Sequence, residues 1–212
     1  GEKCVEVGAK LLVDGTQSVG ALPMDVKEYN IDALICAGYK WLFGPYSIGL
    51  AYISDAFEDG VPLEESWMNR TNAKNFSGLT EYEKAYHPGA GKYNVGETSN
   101  FILIPIIREA LKQISHWTVP EIQAYSKKLI QPLIAYLKNL GVEFESDKYF
   151  SSHLFALKLP AEVDVDQLKI NLEKNKVFIS VRGQFLRISV NIFNDAEDIK
   201  QLIKSIEATI KK

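Results

Sequence analysis

The sequence predicts an α/β protein in two parts: a parallel-sheet part first, then a small α+β part. Three observations carry this. Lys10–Asp14 (KLLVD) and Ile31–Cys36 (IDALIC) are short apolar runs of the kind that form buried strands of a parallel sheet. Ser99–Trp117 and Val119–Leu140 repeat apolar residues at three- and four-residue steps, the period of an amphipathic helix. Beyond Gly141 the pattern becomes strand, strand, helix, strand, strand, helix. The boundary is expected between residues 117 and 118, with 1–117 in the sheet part and 118–212 in the small part.

In chain order, Gly1–Ala9 reads as the back half of a helix, with Val5 and Ala9 on one face and Gly8 as its stop. A domain seldom opens inside a helix, so the sequence is expected to be part of a longer chain, its missing part preceding Gly1. Strands follow at Lys10–Asp14, Ile31–Cys36 and, after the Gly44-Pro45 turn, Ile48–Ser54. Residues 58–95 show no sustained period and read as a long, partly irregular excursion. Leu103, Ile106, Ile107, Ala110, Leu111 and Ile114 form the apolar stripe of the helix at Ser99–Trp117. The helix at Val119–Leu140 has Pro120 in a tolerated first-turn place and Gly141 as its stop. In the small part, strands are expected at Val142–Glu145 and Leu154–Leu159 and a helix at Val165–Lys174. Val177–Arg182 and Phe185–Val190 form a hairpin around Gly183-Gln184. A last helix runs over Asp195–Lys211, capped by Asn194 or Asp195.

Composition narrows the function classes. The 212 residues are 46% hydrophobic and 24% charged, values ordinary for a globular protein, and the net charge is −3. With no basic excess to follow a phosphate backbone, nucleic acid is a poor partner. No apolar run reaches the length of a membrane span, and no signal peptide opens the chain. Cys4 and Cys36 suggest no disulfide framework, and a cytoplasmic setting is the default expectation. His87, His116 and His153 have no metal-ligand spacing.

The stretch LLVDGTQSVGALPMDVKEYNIDALICAGYKWLFGPYSIG, residues 11–49, carries the chemistry. Asp14 ends one strand, and Lys40 stands just past the end of another. In open α/β sheets, ligands bind beyond the carboxyl ends of strands, so both residues aim at the usual crevice. Taken singly, an Asp there is more often a turn cap and a lysine more often a solvated charge. The context shifts the balance. Lys40 sits among Tyr39, Trp41, Leu42 and Phe43, where partial desolvation favours a neutral, nucleophilic amine.

The run DGTQSVG…D…AGYKWLFGP…G resembles the lysine region of class V aminotransferases, a group that includes cysteine desulfurases and belongs to the pyridoxal-phosphate (PLP) enzymes of fold type I. The likeness extends over nearly the whole chain. It implies part of the large-domain sheet of that fold, followed by its small C-terminal domain. It also implies that Lys40 forms the internal aldimine with PLP, that Asp14 pairs with the pyridine nitrogen, and that Gln17 hydrogen-bonds the phenolic oxygen or the region of the lysine linkage. Tyr39 stands where many relatives have His, with a hydroxyl expected toward the cofactor phosphate. Ala37 departs from the Ser that relatives often place there as a phosphate ligand. Tyr93–Asn100 (YNVGETSN) resembles the family's Gly-Thr-x-Asn element, with Glu97 in place of the Gly. Thr98 would then reach the phosphate of a partner subunit, which implies a homodimer with shared sites. The simpler alternative is that Thr98 or Ser99 caps the following helix. Both can hold together, since a helix N-terminus is itself an anion site. Phe185–Asp195 (FLRISVNIFND) resembles the family's Arg-x-Ser…Asn strand, with Arg187 as the clamp on the substrate α-carboxylate. Arg182 is a weaker candidate.

The reaction is read less sharply. Desulfurases need a nucleophilic cysteine on a loop just before the Arg strand. Here the connection from Val181 to Phe185 is short and holds no Cys, while Cys36 reads as a small buried apolar residue. Kynureninase-like relatives share the Tyr before the lysine but usually lack Gln17, and epimerase-like relatives tend to have His at that place. The expectation is a PLP-dependent aminotransferase acting on an amino acid. The alternatives are a desulfurase- or lyase-like PLP enzyme and a non-catalytic α/β binding module. The residues that stack on the ring and complete the phosphate cradle are expected before Gly1, so these 212 residues alone are expected to bind PLP weakly and to be inactive.

Overall fold

The structure is a computed structural model and describes residues 1–81, 83–142, 144–160 and 163–210. The chain divides into two compact units, Gly1–His116 and Trp117–Lys212.

The first unit opens with a short helix, α1 (Glu2–Glu6), after which Gly8 turns the chain at φ +69°. Val5, expected to share a face with Ala9, is 64% exposed. Strands β1 (Leu12–Asp14), β2 (Ala33–Ala37) and β3 (Gly49–Ile53) form a sheet in that order. β1 and β2 are parallel, with Asp14 opposite Ile35. β3 runs antiparallel to β2, with Ala37 opposite Gly49. The expectation of a third parallel strand is therefore corrected. A parallel return needs a crossover of a dozen or more residues, and the loop from Gly38 to Ile48 is shorter than that. The expectation of a buried β1 is also corrected, because Leu12 is 60% exposed.

Residues 54–97 are less irregular than the sequence suggests. Among the described residues, four 3-10 turns, at Asp55–Phe57, Trp67–Asn69, Phe76–Gly78 and Gly89–Tyr93, punctuate them. Buried polar groups tie them together. The Asn69 amide donates to the carbonyls of Lys92 (2.6 Å) and Asn94 (3.1 Å), and the buried Lys92 ammonium donates to the carbonyl of Glu58. Such internal bonds do for a loop what a ladder does for a strand.

Helix α2 (Leu103–Trp117) starts four residues later than predicted. Its cap is Asn100, whose side-chain oxygen accepts from the backbone N–H groups of Ile102 (3.2 Å) and Leu103 (2.8 Å). Thr98 and Ser99 do not cap it. Along the predicted stripe Ile107 and Ile114 are buried, whereas Ile106 is exposed.

The second unit begins with α3 (Val119–Asn139), stopped by Gly141 at φ +76°. A proline in its interior, Pro132, costs one ladder hydrogen bond. The strand predicted at Val142–Glu145 does not form at 142, 144 and 145; position 143 lies outside the described residues. The Val142 N–H instead bonds back to the Leu137 carbonyl (3.1 Å), closing α3, and its side chain is buried. The unit therefore reads β4 (Leu154–Lys158), α4 (Val165–Lys174), β5 (Ser180–Arg182), β6 (Phe185–Ser189), α5 (Ala196–Ile210), in an antiparallel sheet of order β4-β6-β5. The end of the last predicted helix, Lys211, lies outside the described residues. Asp195 is its cap, accepting from the N–H groups of Glu197 (2.8 Å) and Asp198 (3.2 Å). Period-two alternation puts Leu186 and Ile188 on the face covered by the helices, where they meet Leu133, Leu137, Leu168 and Ile206. No helix among the described residues is long and apolar enough to cross a membrane.

Candidate active site

Asp14 is the last residue of β1 and Ala37 the last of β2, so their side-by-side parallel pairing brings two carboxyl strand ends together. The chain leaves β1 through an Asx turn in which the Thr16 N–H donates to Asp14 Oδ1 (3.0 Å). Thr16 Oγ accepts from the Ala37 N–H (3.1 Å), tying this turn to the end of β2. The Thr16 hydroxyl and N–H hold the Asp14 carboxyl below the usual carboxylate range; slight desolvation opposes this, and the charge of Lys40 adds to it. Asp14 is therefore an ionised acceptor at neutral pH, with the Lys40 ammonium within electrostatic reach.

Lys40 sits on a loop closed on itself. The Gly38 N–H donates to the Ile48 carbonyl (2.8 Å), and the Gly44 N–H donates to the Gly38 carbonyl (2.8 Å). Lys40 is half-buried, and its ammonium lies 5.6 Å from the centre of the Tyr39 ring. Tyr39 stacks on Tyr46, ring centres 4.4 Å apart, and is partly exposed. The next residue, Trp41, donates its indole N–H to Gln17 Oε1 (3.3 Å). Gly20 makes this approach possible. It has φ +91°, and a Cβ there would stand 2.6 Å from the Trp41 carbonyl oxygen.

Asp14, Gln17 and Lys40 are thus gathered at the carboxyl ends of β1 and β2. The described contacts of Thr98 are local: its carbonyl accepts from the Asn100 N–H (2.9 Å). Arg187 belongs to the second unit. It is half-buried on β6, opposite Ala156 and Ser180, on the face away from Leu186 and Ile188. It lines a cleft of about 250 Å³ whose walls include Phe144, Tyr149 and Phe150. Cys36 is buried, and desolvation, with the nearby Asp14 charge second, pushes its thiol up. His153 is buried as well, its Nδ1 within bonding distance of Gln123 Nε2 (3.0 Å) and Ser151 Oγ (2.8 Å). The roles of Thr16 and Trp41 escaped the sequence reading. Thr16 had a signal in its Asx-turn spacing from Asp14. Trp41 had none, because its partner lies 24 positions away.

The family described as aminotransferase class-V matches residues 1–202. An uncharacterized aminotransferase, YcbU, from Bacillus subtilis (strain 168) is 26% identical over 208 residues, covering 97% of this chain and 53% of that protein. Among solved structures, the cysteine desulfurase CsdA from Escherichia coli superimposes with a TM-score of 0.78 at 19% identity, covering 99% of this chain and 54% of that one. The ureidoglycine-glyoxylate aminotransferase (pucG) from Bacillus subtilis gives 0.71 at 18%, covering 99% and 55%. The chain spans about half the length of the relatives it matches.

Proposed function

This chain belongs to the aminotransferase class-V family and has, over the part it covers, the fold of PLP-dependent fold type I enzymes; from that premise we propose that it is part of a PLP-dependent aminotransferase acting on an amino acid. One observation carries the reading: beyond the carboxyl ends of two parallel strands, the Lys40 charge acts on the Asp14 carboxyl, and Gln17 is bonded to Trp41, the neighbour of Lys40.

These groups fit the cofactor by donor and acceptor chemistry. When bound, PLP supplies an electron sink that stabilises negative charge at the substrate Cα. The Asp14 carboxylate, kept ionised by Thr16, would hold a proton on the pyridine nitrogen. The Gln17 amide would serve the phenolic oxygen. Lys40, half-buried, would supply the amine that holds the cofactor. Tyr39 and Thr98 are proposed phosphate contacts, Thr98 on the cofactor of a second subunit, so the active form is proposed to be a cytoplasmic homodimer. Arg187 is proposed to grip the substrate α-carboxylate, for which its planar fork is suited.

The short connection of β5 to β6 weighs against the desulfurase alternative. The strands are joined by Gly183 and Gln184 alone, which leaves no loop for a nucleophilic cysteine, and the raised thiol of Cys36 is a poor substitute. The test is a screen of amino-acid and oxo-acid pairs with the full natural polypeptide that contains this chain. Amino-group transfer is expected in the parent and its loss to background in Lys40→Ala. Release of sulfide or alanine from cysteine, without amino transfer, would overturn the aminotransferase reading.

A further inference from the structure

A glutamine side chain carries a carbonyl acceptor on one branch and an NH₂ donor on the other, so its identity alone leaves open which one faces a ligand. The indole N–H of Trp41 faces Gln17 Oε1 at 3.3 Å. An indole nitrogen only donates, so the branch facing it has to be the carbonyl. The amide nitrogen of Gln17 is then turned away from Trp41 as a donor.

Trp41 is well placed to impose this. It is 8% exposed, so water competes little for its N–H. Its backbone is pinned against the bare Cα of Gly20, and it directly follows Lys40. We propose that Trp41 is a positioning residue that fixes Gln17 as a hydrogen-bond donor toward the phenolic oxygen of a pyridoxal cofactor held at Lys40. The inference rests on the PLP reading above. With Gln17 reversed, a carbonyl dipole would oppose an oxygen that carries negative charge. With Gln17 Oε1 engaged by Trp41, the site would be complementary to the ring at both ends, Asp14 accepting and Gln17 donating.

The test compares the full natural polypeptide that contains this chain with Trp41→Phe, Gln17→Ala and the double variant. Thermal unfolding without cofactor establishes that each folds. Without cofactor, the Trp41 indole N–H resonance is expected to shift in Gln17→Ala; an unmoved resonance would overturn the contact, and this arm decides even if Trp41→Phe does not fold. With PLP added, Trp41→Phe is expected to bind the cofactor about 5-fold more weakly. The pH midpoint of its visible band should rise, while Lys40 is still labelled after borohydride reduction. The double variant should match Gln17→Ala. A parent-like band and midpoint in Trp41→Phe, with both moved in Gln17→Ala, would overturn the role of Trp41 alone. A parent with no visible band and no label on Lys40 would overturn the PLP reading and this inference together.

Discussion

The two units use their apolar residues differently. In Trp117–Lys212 the alternation of β6 is resolved cleanly: Leu186 and Ile188 are fully buried under helices, and their neighbours face out. In Gly1–His116 the strand residues Leu12 and Ile35 are 60% and 47% exposed, and the buried set centres on Ala33, Cys36, Trp41 and Leu42 around the lysine loop. A parallel strand pair is patterned for cover on both faces. The second unit therefore completes its own core, while the first concentrates its packing where it holds Lys40.

Paired truncations sharpen that contrast. Leu186→Ala, in the closed core, is expected to cost about 2–5 kcal/mol. Leu12→Ala, exposed in these 212 residues, should cost less than ~0.5 kcal/mol when this chain is measured by itself. Denaturant unfolding measures both, and equal losses would break the comparison.

A smaller effect is expected at the start of α5. Asp198 accepts from the Asn194 amide (3.0 Å) and the Asp195 N–H (3.1 Å), and these two bonds lower its carboxyl below the ordinary 3.8. Its folded value lies under its unfolded one, so its contribution is complete above the unfolded value and is lost as pH falls through the folded value. Asp198→Asn should cost about 0.5 kcal/mol near neutrality, the scale of an exposed charge at a helix N-terminus. The gap between parent and variant should close on acidification, and a gap that widens in acid would contradict the account.

Much of this was legible in the sequence, for reasons that differ by residue. Asp14 and Lys40 stood out because strand ends are where an α/β sheet binds ligands, and the surrounding run resembled a known family. The amphipathic helices announced themselves by period, and Gly183-Gln184 announced a hairpin. Val142–Glu145 misled because strand-forming side chains near a helix end can serve to close that helix, as Val142 does on Leu137. The antiparallel course of β3 was written in the length of the Gly38–Ile48 loop, which is too short to cross over. The Trp41–Gln17 bond was not legible, since no local pattern links two side chains on separate loops.

The central claim is that Lys40 is the cofactor lysine. The most direct measurement adds PLP to the full natural polypeptide that contains this chain, reduces it with borohydride and locates the modified peptide by mass spectrometry. The account predicts a visible absorption band before reduction and a pyridoxyl adduct on Lys40 after it. An adduct on a different lysine, or no band and an unmodified Lys40, would contradict it.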